Sequence, residues 1–138
     1  MSGVPRPERD DPLFAPYWEG TDLGELRVQR CAACGELRWP PRPMCGVCQT
    51  AGNEWAAVPG RGTLYSWVGV DHQTVRGLPA PYTVGLVALD GLTVRMLGRI
   101  VESDRQDVVI GMELVVRFDP SDSGVTLANW EPARESRP

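Results

Sequence analysis

The sequence contains no lysine; all 14 basic side chains among its 138 residues are arginine. Lysine Schiff-base chemistry, and with it one class of aldolase, is therefore excluded for this chain. Histidine is almost as scarce. His72 stands alone, so a Ser-His-Asp set would need this one imidazole to meet one of several ordinary serines. No G-x-S-x-G elbow, phosphate-binding G-x4-G-K-[ST] loop, G-x-G-x-x-G turn or H-E-x-x-H helix occurs. Paired carboxylates are not excluded by number, but the placement of the 18 acids singles out no two of them. Long apolar runs are also missing: Val108 to Val116 is interrupted by Gly111 and Glu113 and falls far short of the roughly 20 residues of a membrane span. Met1 to Asp11 is polar and charged with no apolar run behind it, which reads as no secretory signal and a cytoplasmic chain.

What is present is the composition of a globular protein, 42% hydrophobic and 23% charged. A chain of this length forms one ordinary domain or two very small ones, burying about 70% of its unfolded surface. The net charge of -4 is unevenly spread. Residues 1–26 carry two Arg against six acids, residues 27–61 five Arg against two, and residues 62–138 seven Arg against ten. The locally positive middle segment is either a solvated surface or a surface for a phosphate-bearing partner.

The first chemistry lies in the cysteines. Cys31, Cys34, Cys45 and Cys48 form two C-x2-C pairs separated by ten residues. Each pair turns two thiolates to one side of a tight knuckle, and two facing knuckles supply four sulfurs at about 2.3 Å from a tetrahedral Zn2+. Two disulfides are the alternative, which a cytoplasmic chain is not expected to keep. Iron in a rubredoxin-like site shares the paired spacing, but the short gap suits a compact zinc ribbon. Four thiolates saturate the metal, so the zinc is expected to be structural and no catalytic residue is assigned. Gly35 follows the first pair, where a knuckle often needs a backbone conformation costly for a side chain; Gln49 follows the second.

Along the chain, a short helix is expected either from Asp11-Pro12 through Trp18 or from Pro16 to about Asp22, with Phe14, Tyr17 and Trp18 packing on the ribbon or docking on a partner. Leu26 to Cys31 reads as a strand entering the first knuckle, Leu37 to Trp39 as its return, and Trp55 to Val58 as a connecting strand. Pro59-Gly60-Arg61-Gly62 is turn material marking a boundary. Beyond it the signals are all β: Thr63 to Asp71, Tyr82 to Leu89, Leu92 to Ile100, Glu113 to Asp119 and Val125 to Trp130. Leu64, Ser66, Val68 and Val70 are expected on one face of the first of these, and Asp90-Gly91 as a two-residue hairpin turn after the second. Five short antiparallel strands fit a small OB-type Greek-key barrel, with a small sandwich as the alternative. The fold class is thus mainly β: an N-terminal short helix (1–24), a rubredoxin-like zinc ribbon (25–59), a five-stranded OB-fold barrel (60–131) and a flexible tail (132–138). Among the tryptophans, Trp55 and Trp67 are expected in the core first. The loop His72 to Pro81 is the longest irregular stretch of the barrel and carries His72 and Arg76.

The ordered motifs resemble the zinc-ribbon plus OB-fold family known as domain of unknown function 35, an acyl-CoA-associated group. The matching residues are Tyr17-Trp18-Glu19-Gly20, Gly24-Glu25-Leu26, Cys31-x-x-Cys34-Gly35, Trp39-Pro40-Pro41-Arg42, Cys45-x-x-Cys48, Gly60-x-Gly62-x-Leu64-Tyr65-Ser66-Trp67, Pro81-Tyr82 and Ile110-Gly111-Met112. The resemblance implies a noncatalytic accessory subunit of a thiolase-fold acyl-CoA enzyme, a thiolase or a retro-aldolase that shortens steroid side chains. It implies a heterotetramer with two copies of each chain, acyl-CoA as the substrate of the complex, and no turnover by this chain alone. The helix and ribbon would lie against the partner and the barrel near the CoA entrance. Phe14, Tyr17, Trp18, Trp39, Arg42, His72 and Arg76 are the expected partner or CoA contacts.

Two rival functions are open to the same architecture. Zinc ribbons and OB barrels also bind single-stranded nucleic acid, but an isoelectric point near 5.0, the absence of lysine and the lack of a basic stripe interleaved with aromatics argue against it. An independent hydrolase or CoA enzyme would show turnover in the isolated chain.

Overall fold

The computed structural model describes residues 6–133. The first five residues of the polar N-terminal stretch, and the expected flexible tail from residue 134 onward, lie outside them. Helix α1, Ala15–Asp22, takes the second of the two expected starts, with Pro16 in its first turn where a missing N–H costs nothing. It stops at Gly24, whose φ of +74° allows a double closure. Glu25 N–H donates to Gly20 O at 2.8 Å and Gly24 N–H to Thr21 O at 3.1 Å, the Schellman pattern that glycine makes cheap.

Three strands form the ribbon sheet: β1 (Leu26–Cys31), β2 (Leu37–Arg38) and β3 (Asn53–Val58), in the order β2-β1-β3. The segment read as a connecting strand over Trp55 to Val58 begins two residues earlier and is a full partner of β1, paired from Leu26↔Val58 to Cys31↔Asn53. The reason is long-range. Its Val58 and Ala56 lie directly across from the buried Leu26 and Val28, and nothing local announces that pairing.

The remaining strands, β4 (Arg61–Val70), β5 (Tyr82–Leu89), β6 (Arg95–Ile100), β7 (Glu113–Pro120) and β8 (Thr126–Pro132), close a barrel in the order β4-β5-β6-β8-β7. All its neighbours are antiparallel except β6 and β8, which meet in parallel at Ile100↔Trp130. The parallel contact corrects the expectation of uniformly antiparallel strands: a crossing from β6 to β7 leaves β8 running the same way as β6.

Two local expectations also give way. The register slips between Leu64 and Ser66, so the simple alternation along β4 fails. Leu64 is buried, while Val68, two pleats on, is 57% exposed, and the half-buried Trp67 packs against the core instead. The turn after β5 is wider than two residues: Asp90 to Thr93 are looped out and Leu89 N–H closes on Val94 O at 3.1 Å. Burying Val94 at 4% exposure outweighs the hairpin preference of Asp90-Gly91.

Leu64, Val87, Leu89, Met96, Ile100, Leu114 and Trp130 fill the barrel. The fully enclosed tryptophan is Trp130, at 1% exposure; Trp55 and Trp67 lie half-buried against the core. Gly98 makes room for the indole, since a Cβ there would sit 2.5 Å from Trp130 Cδ1. One mouth of the barrel is capped by Arg105, from a single 3-10 turn at Arg105–Asp107. Its Nη1 donates to Asp71 Oδ1 at 2.7 Å and its Nη2 to the Tyr82 carbonyl at 3.4 Å, over Gly69, where a side chain would have to displace the guanidinium.

Candidate functional site

The two knuckles are built alike. Gly35 N–H donates to Cys31 O and Gln49 N–H to Cys45 O, both at 3.0 Å. Gly35 has φ +80° and Gln49 φ +61°, so the glutamine accepts the left-handed conformation that glycine supplies in the first knuckle. Each leading sulfur receives two backbone N–H groups. Ala33 and Cys34 point at Cys31 Sγ, both at 3.4 Å, and Val47 and Cys48 at Cys45 Sγ at 3.3 and 3.5 Å.

The four sulfurs lie within 4.8 Å of one another, with Cys31 to Cys48 at 3.5 Å and Cys34 to Cys45 at 3.8 Å. A tetrahedron with metal–sulfur bonds of about 2.3 Å has edges of about 3.8 Å, so the donor set fits zinc. The electrostatics agree. The Cys34 N–H holds the Cys31 thiol down at about 6, and the Cys48 N–H lowers that of Cys45. Cys34 is pushed up to about 12: the Glu36 N–H favours its thiolate, but burial and the three neighbouring thiols outweigh it. Four thiolates this close need a dication to coexist; the four cysteines would hold a zinc ion, which would supply that charge with its four positions filled by sulfur. The predicted ligands Cys31, Cys34, Cys45 and Cys48 are thus brought together in a geometry that could hold one metal ion.

The segment that delivers Cys45 is held by polar residues that sequence reasoning missed. Gln29, 1% exposed, accepts from Arg42 N–H at 2.8 Å. Arg38, 4% exposed, donates through Nη2 to Arg42 O at 3.1 Å and to Asn53 Oδ1, and Asn53 Nδ2 donates to Pro43 O. These partners lie on three different strands and loops, so no local spacing betrays them.

Phe14, Tyr17, Trp18 and Trp39 converge where α1 meets the ribbon. Tyr17 lies tilted 4.7 Å from Trp39 and meets Trp18 edge-on at 4.9 Å, Phe14 meets Trp39 edge-on at 6.1 Å, and Trp55 closes the group at 6.5 Å from Trp39. Of the two expected uses, packing on the ribbon is the one seen for Tyr17, which is 9% exposed and whose phenol is pushed up to about 12 by burial. Phe14, Trp18 and Trp39 keep part of their surface. Arg42 is exposed and lies against the second knuckle, about 3.9 Å from where a Cβ on Gly46 would stand. His72 and Arg76 are exposed on the loop between β4 and β5. Among the described residues no hydrogen bond, ion pair or ring contact joins them to the aromatic group.

Comparison with known proteins matches both halves of this architecture. Residues 18–54 match the ChsH2 rubredoxin-like zinc ribbon domain and residues 55–119 the ChsH2 C-terminal OB-fold domain. The chain is similar to the 3-oxo-4,17-pregnadiene-20-carboxyl-CoA hydratase alpha subunit of Mycobacterium tuberculosis, 34% identical over 93% of this chain. It spans only 39% of that subunit. A DUF35 domain-containing scaffold protein of Methanocaldococcus jannaschii is 30% identical over 70% of this chain and 72% of its own. Among solved structures, a chain of the Ltp2-ChsH2(DUF35) aldolase superposes with a TM-score of 0.84 at 32% identity, covering 94% of this chain and 100% of that one. With ribbon, barrel and motif order all shared, the chain belongs to the ChsH2-type DUF35 family of zinc-ribbon and OB-fold proteins.

Proposed function

We propose that this chain is a noncatalytic accessory subunit that docks on a thiolase-fold acyl-CoA enzyme, a thiolase or retro-aldolase, and helps form its CoA and substrate channel. The observation that carries the reading is the full-length likeness to the ChsH2 chain of an aldolase named for two components. The scaffold name of one relative supports it, and the pregnadiene-carboxyl-CoA in the name of another supports a steroid acyl-CoA as the substrate of the complex. The physics is that of a platform. Zinc fixes the ribbon, the aromatic group fixes α1 on it, and the remaining faces of Phe14, Trp18 and Trp39 form a rigid apolar surface that loses little entropy on binding. Met44 and Val47, 54% and 68% exposed, extend apolar surface around the second knuckle. Arg42, His72 and Arg76 supply the polar contacts to the partner or to CoA. The assembly is a cytoplasmic heterotetramer with two copies of each chain.

Co-expression with a thiolase-fold enzyme encoded beside it tests the reading. A stable complex whose acyl-CoA turnover is lost when this chain is withheld is expected, with weakened association on Trp18→Ala. A chain that stays monomeric and leaves the enzyme's turnover unchanged would refute it, as would robust turnover by this chain alone.

A further inference from the structure

The positive surplus of residues 27–61 is not spread over the ribbon. Arg27 pairs with Glu25 at 2.6 Å, Arg30 with Glu54 at 2.8 Å and Arg61 with Glu113 at 3.8 Å. Arg38 and Arg42 make no ion pair among the described residues. Both line one groove of about 390 Å3 between β2 and the loop entering β6, together with Arg95 from the barrel. Arg95 also lacks a carboxylate partner among the described residues; its guanidinium lies 4.0 Å over the Tyr65 ring. Glu36 is the one acid on the groove wall.

Arg38 is the unusual member. It is 4% exposed, and its Nε and Nη1 are enclosed without any hydrogen-bond partner. A guanidinium buried without a counter-charge is costly, and an anion held close by offsets part of that cost. The enclosed nitrogens need not touch the anion. Their charge, screened by protein rather than water, raises the potential in the groove that the exposed Arg42 and Arg95 also line.

From this we infer that the groove between ribbon and barrel is an oxyanion site for a phosphate monoester, with Arg38 as the fixed charge beneath and Arg42 and Arg95 as the donors that reach the ligand. Three arginines against one carboxylate suit a dianion better than a carboxylate, and planar guanidinium groups match phosphate oxygens in pairs. The groove is larger than one phosphate needs, leaving space for the group esterified to it. At Arg42 the inference rests on the proposed function, which makes that residue a partner or CoA contact; because the groove residues all belong to this chain, phosphate binding is read without the enzyme and can fail separately from the docking.

Calorimetric titration of the zinc-loaded full chain at low ionic strength tests it, with inorganic phosphate, adenosine 3′,5′-bisphosphate and acetate as probes. Saturable phosphate binding is expected, weakened roughly ten-fold or more by Arg42→Ala and by Arg95→Ala and left unchanged by Arg30→Ala. Tighter binding of the bisphosphate than of inorganic phosphate is expected, and equal or weaker binding would overturn the assignment of an ester-borne phosphate. Arg38→Met is expected to lose binding while keeping its zinc; should it fail to fold, the two exposed variants carry the test. No saturable binding, equal affinity for acetate, or binding indifferent to both exposed variants would overturn the site.

Discussion

Gln49 shows how a single residue can bear a cost its counterpart avoids. Both knuckles close with the same hydrogen bond and the same left-handed turn, yet one uses glycine and the other a side chain. Gln49→Gly is therefore expected to stabilise the zinc-loaded protein by about 1 kcal/mol, and Gly35→Ala to destabilise it by about 1–2 kcal/mol. Chemical denaturation at fixed zinc activity measures both, and an unchanged midpoint for both variants would contradict the strain argument. The second residue of note is Trp130. Enclosed at 1% exposure against Gly98, it anchors the barrel where β6 and β8 meet in parallel. Trp130→Ala should cost about 3–5 kcal/mol, read as a fall in the barrel's thermal midpoint. The Gly35 position was legible from C-x2-C-G, because the motif itself dictates the turn. Trp130 was not, because burial of one tryptophan among five depends on which strand closes the barrel.

At the level of elements, α1 is tied down twice. Its aromatic face packs on Trp39 of the ribbon, and its C-terminal end is latched to the barrel. Asp22 accepts from Arg9 Nη2 at 2.5 Å and from Thr126 Oγ1 at 2.9 Å, while Arg9 Nη1 reaches the Gly124 carbonyl. The Arg9 hydrogen bond, followed by that of Thr126, holds the Asp22 carboxyl below its ordinary range. A carboxyl depressed on folding adds stability above its unfolded value of about 3.9, and that contribution fades as pH falls through the lower folded value. NMR titration of Asp22 should show its midpoint below about 3.9, and Asp22→Asn should remove the matching part of the acid sensitivity; a normal midpoint would mean the latch is open in solution. A short helix could be read here from its prolines, with its start left between two alternatives that the packed chain decided in favour of Ala15–Asp22. The latch could not, since Asp22 and Thr126 are separated by most of the chain. The same distance explains β3, whose pairing with β1 is set by a shared apolar face.

In the whole molecule, a metal-built unit and a packed barrel are stabilised by different means. The ribbon has few enclosed apolar side chains apart from Leu26 and Val28, and its folding free energy includes metal binding. The barrel holds the larger share of a hydrophobic cluster that also takes in Tyr17, Leu26 and Val28. Chelation, or Cys31→Ser, should therefore remove one zinc per chain and collapse the ribbon amide signals in NMR while the barrel signals persist; an intact ribbon without metal would contradict this. The clustering of the four cysteines and the five-strand barrel were readable from the sequence, because thiol spacing, turn residues and strand-length apolar runs are local facts of covalent order. The slipped register in β4, the parallel closure by β8, the use of Tyr17 inside rather than outside, and the gathering of Arg38, Arg42 and Arg95 into one groove emerged only on folding. Each depends on which distant surfaces come together, and that competition among buried areas and unpaired charges is resolved by the packed chain as a unit.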